Sequence, residues 1–183
     1  MSPEIKSNIV YGGKLIIEQA EFTQQGKEFK RERIKRADAS AVLILNTDIN
    51  KIILTRQFRY PISDKIKEPI LEILAGKIDA GEEPLEAAIR EAEEETGYRI
   101  KKDHIQLLVS CFSTPGYSSE KFYIYYATVT HSDKISIGGG LETENETIEV
   151  IELEADEFID LIKTARIKDA KTYIAGLYFA NYL

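Results

Sequence analysis

Long apolar runs are missing from this chain. None of its 183 residues falls in a stretch of about 18 consecutive apolar residues, the length a membrane-spanning helix needs. The N-terminal stretch MSPEIKSNIVYGGK has no apolar signal-peptide core either. Both absences lead us to expect a cytoplasmic protein with no membrane partner. A single cysteine, Cys111, excludes an internal disulfide framework, and two isolated histidines cannot build a zinc site. Cys111 lies in the apolar run LLVSCF, which predicts a buried thiol rather than a nucleophile. Positive charge is scarce: 24 Lys and Arg stand against 31 Asp and Glu, a net charge of −7. That balance argues against non-specific nucleic-acid binding. The acidity is not a sign of disorder, because 43% of residues are apolar and hydrophobic runs recur. With no internal repeat or low-complexity segment, the length fits one domain with a real core and a small appendage.

The acidic residues are concentrated instead. Between Glu82 and Glu95 there are seven glutamates and one arginine. Pro84 suits a first helical turn and Gly97 the residue just past a helix end, so a helix from about Glu83 to Thr96 is predicted. At roughly 100° per residue, Leu85, Ala88, Ile89 and Ala92 form one apolar stripe. Glu91 and Glu95 sit about 40° apart on its flank, with Glu94 about 60° further toward solvent. Like charges four residues apart each cost a few tenths of a kcal/mol, and a bound divalent cation would reverse that sign. Mg²⁺ accepts a few oxygen ligands and keeps positions open for substrate phosphates. A solvated acidic face is the alternative reading.

The spacing is more specific. Gly76, five residues, Glu82, seven residues, Arg90-Glu91, Ala92, one residue, Glu94-Glu95, one residue, Gly97 and apolar Tyr98 together resemble the Nudix box at every fixed position. The resemblance implies a Nudix hydrolase, a family that uses Mg²⁺ or Mn²⁺ to cleave a nucleoside diphosphate linked to another moiety. It makes Glu91 and Glu95 the main metal ligands, Glu94 a further ligand or outer group, and the carbonyl of Ala75 a backbone ligand. It also implies that Arg90 and Glu82 orient the loop and the carboxylates by hydrogen bonds.

The flanking segments refine the branch. Residues 1–37 read as a β-segment, with strand patterns NIVY, KLIIEQAEF and FKRERIKR. By length and character the segment is similar to the dimerising N-terminal arm of ADP-ribose pyrophosphatases, and residues 38–183 would be the hydrolase domain. ASAVLILN and KIILTRQFR read as a hairpin of buried strands. TRQFRYP resembles the segment before the box in ADP-ribose pyrophosphatases, where the second arginine faces substrate. Arg59, and with less support Arg56, are therefore candidate substrate residues, as guanidinium groups bind phosphate in a bidentate manner. In ILEILAG a strand enters the box; the branch has proline where this chain has Leu74, and Glu72 is open to a substrate or a surface role. STPGYSSE is a turn-rich loop whose Pro115, Gly116 and Glu120 resemble the downstream signature of that branch. Tyr117 could stack on a base or pack internally. The run Glu144-Asn145-Glu146 resembles the catalytic loop, which implies Glu144 as base and Glu146 as metal ligand, with Glu142 and Glu149 close by. The glycines from Gly138 to Gly140 look more like relatives acting on GDP-mannose and UDP-sugars.

ADEFIDLIKTAR and DAKTYIAGLYFANYL read as closing amphipathic helices, the second with Ala170, Ile174, Leu177 and Tyr178 on one face. The phrase IKDAKT recurs in both sugar-diphosphate branches. The expected fold is an α/β/α sandwich around a mixed sheet with a small N-terminal β-subdomain, as the resemblance also implies. The expected activity is hydrolysis of a nucleotide sugar such as ADP-ribose to a nucleoside monophosphate and a sugar phosphate, by a homodimer. GDP-mannose or a UDP-sugar is the alternative substrate, and a non-catalytic nucleotide-sugar sensor the alternative of another class.

Overall fold

Each strand pattern in the sequence becomes a strand in the computed structural model, which describes residues 4–139 and 148–182. The chain divides into two compact units, Met1–Asp38 with Cys111–Phe122, and Ala39–Ser110 with Tyr123–Leu183.

In the first unit β1 (Ile5–Gly12), β2 (Ile16–Gln24) and β3 (Lys27–Lys35) form an antiparallel three-stranded sheet. The turn between β2 and β3 places Gln25 and Gly26 at φ 53° and 74°, which suits the twist of a tight hairpin. Glu18 of β2 is buried, and its carboxylate accepts from Arg33 and Lys35 of β3. The STPGYSSE loop is strapped to the end of β3. Ile34 N–H donates to the Tyr117 carbonyl at 2.7 Å, and Ser119 N–H donates to that of Ile34 at 3.1 Å. Arg36 Nε reaches Glu120 at 3.0 Å.

The second unit is built on a seven-stranded sheet. Its strands are β4 (Ala39–Asn46), β5 (Lys51–Gln57), β6 (Ile70–Glu72), β7 (Leu74–Lys77), β8 (Ile105–Phe112), β9 (Lys121–Val129) and β10 (Glu149–Glu154). The main path runs β10-β5-β4-β9-β8, while β6 pairs with β5 and β7 with β4. The expected β4–β5 hairpin forms, but it pairs only from Ile44 opposite Ile53 to Asn46 opposite Lys51. Beyond that the two strands part, and each takes a new partner: Ala39 to Val42 pair with β7, Thr55 to Gln57 with β6. This opening is what carries the box loop into the sheet.

Three helices cover it: α1 (Pro84–Thr96), α2 (Ala155–Lys163) and α3 (Ala170–Tyr182). Val42, Ile44 and Ile53 join Ala88 and Ala92 of α1 in one core cluster, with Leu85 and Ile89 packed against it. Their strand neighbours Ala41, Leu43, Ile52 and Leu54 are just as buried and by alternation face the other side. There α2 lies against β5 and β10, and α3 against β4 and β6. The expected sandwich is thus present.

Two local expectations are corrected. Leu177 and Tyr178 are 43% and 37% exposed, while Lys171, Thr172, Ala175 and Gly176 form the buried face of α3. Small residues decide this: a Cβ at Gly176 would lie 2.2 Å from Ile162 of α2, so the helices approach there more closely than large side chains allow. Cys111 is half-buried, because β8 ends the sheet path and an edge strand has a neighbour on one side only.

Asp133 closes a short turn after β9. Its Oδ2 accepts from the N–H and hydroxyl of Thr130 at 2.8 and 2.7 Å, and Lys101 pairs with Oδ1 at 2.8 Å. Lys101 first, then Thr130, hold this carboxyl at about 2, below its ordinary 3.8. A group whose folded pKa is depressed gives stability that is present above its unfolded pKa and lost as pH falls through the folded one. We expect the melting temperature of the protein to fall more steeply between pH 4 and 2 than that of Asp133→Asn. Parallel curves in calorimetry over that range would show that the ion pair adds nothing.

Candidate active site

The helix that carries the carboxylates starts with Pro84 at its first position and ends at Gly97, whose φ of 76° lets its N–H return to the Glu93 carbonyl at 2.9 Å. The seven glutamates around it do not simply repel. Arg90 places Nε and Nη2 on the two oxygens of Glu82 at 2.9 and 3.0 Å, and Nη2 also reaches the carbonyl of Lys77 at 3.1 Å. Its Nη1 donates to Glu91 at 2.7 Å and to Glu94 at 3.2 Å. Glu82 in turn accepts from Asp79 N–H at 2.9 Å. One guanidinium therefore ties the loop 77–82 to the helix. Arg90 holds the carboxyl of Glu82 below its ordinary value, and Glu82, followed by Glu91, holds Arg90 above its own.

Gly76 is needed for closeness. A Cβ there would stand 1.8 Å from the carboxylate carbon of Glu91, so that carboxylate lies directly against the strand whose preceding residue, Ala75, pairs with Ala41. Glu95, one turn on, is 8% exposed. The carboxylates of Glu91 and Glu95 offer the oxygen donors that a hard divalent cation takes. Among the described residues no group of three or more His, Cys, Asp and Glu converges on one point. Glu144 and Glu146, expected to complete the site, and the neighbouring Glu142, lie outside the described residues.

The other candidates fall in three places. Arg59 grips Glu72 with Nε at 2.6 Å and Nη2 at 3.1 Å. Arg56 on β5 pairs with Glu149, the residue opposite it on β10, at 3.3 Å. Pro115, Gly116 and Glu120 belong to the first unit, where Glu120 is held by Arg36 and Tyr117 is 57% exposed.

Glu72 is not a surface carboxylate, since it is 3% exposed. Burial alone would raise its pKa, but Arg59 and Lys171 outweigh this and hold it below the ordinary value. Lys171 donates to both Glu72 and Asp169. Asp169 accepts from the N–H and hydroxyl of Thr172 at 2.9 and 2.6 Å, and Thr172 Oγ1 accepts the N–H of Ile73 at 2.7 Å. This network is what IKDAKT contributes, and sequence reasoning missed it. The only signal was a lysine and a threonine on a helix expected to be apolar on its inner side. The glycines after β9 also have a local purpose. Gly139 N–H donates to the carbonyl of Glu95 at 2.7 Å, and a Cβ at Gly138, at φ 69°, would press on that same carbonyl at 2.5 Å. They wrap the C-terminal end of α1.

Known proteins resemble this chain over most of its length. The family model described as the NUDIX domain matches residues 35–175. A protein named methanol dehydrogenase activator, from Bacillus methanolicus, is 36% identical over 176 residues, 95% of this chain and 90% of that one. An ADP-ribose pyrophosphatase from Bacillus subtilis is 36% identical over 177 residues, 92% of this chain and 87% of its own. A GDP-mannose pyrophosphatase from Escherichia coli is 32% identical over 156 residues, 84% and 77% of the two chains. A crystal structure of an ADP compounds hydrolase superimposes with a TM-score of 0.78 at 23% identity, covering 100% of this chain and 95% of that one, and so shares the fold.

The Gly76 contact can be tested directly. The atoms a new methyl would meet belong to the end of a flexible side chain, so Gly76→Ala should fold and displace the Glu91 carboxylate. Divalent-cation affinity, read by titration calorimetry, should drop about ten-fold or more, as for losing a charged oxygen ligand. Unchanged affinity in a folded variant would show that the Glu91 carboxylate does not contribute to cation binding.

Proposed function

Because this chain belongs to the NUDIX family, we propose that it is a pyrophosphatase that hydrolyses the diphosphate of a nucleoside diphosphate sugar, with ADP-ribose preferred to GDP-mannose. The observation that carries this reading is the Arg90 fork, which fixes the box loop and sets Glu91 and Glu94 side by side. Relatives named for each of the two substrates support the class. Preference for ADP-ribose is supported by TPG at 114–116 and ENE at 144–146. The glycine run speaks less for GDP-mannose, because wrapping the end of α1 is a sufficient reason for Gly138 and Gly139.

On this reading Glu91 and Glu95, with the Ala75 carbonyl and Glu146, hold the metal, and Glu94 stands next to it. A divalent cation there, Mg²⁺ or Mn²⁺, would neutralise the diphosphate and acidify a coordinated water. Arg59, oriented by Glu72, offers a planar donor to a phosphate. Arg56 sits three residues earlier, on β5, and Pro115, Gly116 and Glu120 are the further candidates for substrate contact. Glu144 takes the proton of the attacking water, a role that suits a carboxylate not committed to metal. Phosphoryl transfer needs positioning and charge neutralisation more than a covalent nucleophile, which agrees with a lone half-buried cysteine. The setting we propose is the cytoplasm, with no nucleic-acid or membrane partner; among the described residues no helix is long and apolar enough to cross a membrane.

A nucleotide-sugar panel assayed with Mg²⁺ and Mn²⁺ should show turnover of ADP-ribose to AMP and ribose 5-phosphate. Glu95→Gln should lose most of it and keep the fold. Glu144→Gln should lower kcat by about 10²- to 10⁴-fold with metal affinity little changed, whereas Glu146→Gln should weaken metal binding as well. Nucleotide-sugar binding without any turnover would favour a sensor. Full kcat in Glu144→Gln, with loss in Glu142→Gln or Glu149→Gln, would move the base.

We also propose a homodimer formed through the first unit. All eight residues of β1 are exposed, among them Ile5 at 60%, Ile9 at 61% and Tyr11 at 57%. An apolar edge strand of this kind calls for a cover. Light scattering should give about twice the 20.8 kDa chain mass at micromolar concentration, and Ile9→Lys should shift it toward the monomer. A monomer with full activity would contradict this.

A further inference from the structure

The second unit has a cavity of about 320 Å³ whose lining shares only Arg56 with the candidates for the proposed chemistry. Its charged lining is entirely cationic: Arg56 from β5, with Arg166 and Lys168 from the connection between α2 and α3. Its apolar wall includes Leu71, Leu161 and Ile167. In a chain of net charge −7, three cations against an apolar wall are a local reversal of sign.

The backbone builds this arrangement deliberately. Helix α2 ends with Ala165 N–H donating to the Ile162 carbonyl at 3.1 Å and Arg166 N–H donating to that of Leu161 at 2.9 Å, the paired bonds of a helix-ending turn. That turn requires a left-handed residue, normally glycine, and here Ala165 adopts it at φ 53°, a conformation unfavourable for a residue with a Cβ. The result sets Arg166 over the Leu161 that closes the cavity. Lys168 Nζ folds back onto the Ala165 carbonyl at 3.2 Å, on the same turn, while Ile167 between them is 8% exposed and anchors the segment. The nearest acid in sequence, Asp169, is taken by Lys171 and Thr172. Arg56 meets Glu149 at 3.3 Å, with the two side chains 41% and 61% exposed. Such exposed pairs are weak, and a phosphate can displace this one.

We infer that this cavity binds a phosphomonoester bearing an apolar or aromatic group, the phosphate on Arg56, Arg166 and Lys168 and the remainder on the apolar wall. Arginine-rich pockets match the fork geometry of phosphate, and the volume lies at the small end of ligand sites. The pocket also adjoins the Glu72 network from both sides, since Leu71 precedes Glu72 and Lys168 precedes Asp169.

The test uses the whole chain in excess chelator, with AMP, inorganic phosphate and adenosine as probes and methyl-labelled isoleucine and leucine followed by NMR. AMP should shift the methyls of Leu71, Leu161 and Ile167 and leave those of Leu85 and Ile89 on α1 in place. The double variant Arg166→Ala, Lys168→Ala changes two exposed side chains and should keep its fold. Its AMP dissociation constant should rise about ten-fold or more, since each lost charge-assisted hydrogen bond is worth about that. Adenosine should not bind. Equal AMP affinity in the folded variant, or shifts confined to α1, would overturn the site. Inorganic phosphate binding as tightly as AMP would overturn the ligand class.

Discussion

One guanidinium reconciles the charges on which the site depends. A guanidinium has five N–H donors in a fixed plane, and Arg90 uses them on Glu82, Glu91, Glu94 and the Lys77 carbonyl. A lysine could neutralise as much charge but could not bridge a loop and a helix in one plane. Because the fork is planar and rigid, its bonds hold the loop 77–82 against α1 and set the carboxylates facing it. The rest of the second unit keeps that pair in register. Strands β4 and β5 part to admit the segment that enters the loop, and Gly138 and Gly139 close the far end of α1.

The part of this that could be read from sequence is the part decided locally. Helix α1 begins within one residue of the expected start, because Pro84 and Gly97 act through their own backbone angles. Its apolar stripe is the buried one because the period of a helix is a property of the chain alone. The β4–β5 hairpin and the family spacing are legible for the same reason.

What was not legible comes from partners distant in sequence. Nothing near Glu72 announces that Lys171 will meet it, so its burial could not be foreseen. Periodicity placed Leu177 and Tyr178 on the inner face of α3, yet the close approach of Gly176 to α2 and the pull of the Lys171 network turned a different face inward. Cys111 sits in an apolar run, but exposure follows from its strand's place at the end of the sheet. The glycine run suggested a substrate branch, whereas its first two members serve the end of a helix.

The hydrogen bond from Ile73 to Thr172 joins residues 99 positions apart, and the Lys171 to Glu72 contact spans the same interval. During synthesis, therefore, the strand leading into the box loop waits for α3 to emerge from the ribosome before its buried carboxylate has a cation and its backbone N–H an acceptor. The three-stranded N-terminal sheet, whose pairings are between sequence neighbours, has no such delay. Contacts of long separation form late because the intervening loop must first be closed. The nascent chain thus acquires its N-terminal sheet early, while the strand that enters the box loop lacks these two contacts until α3 has been made.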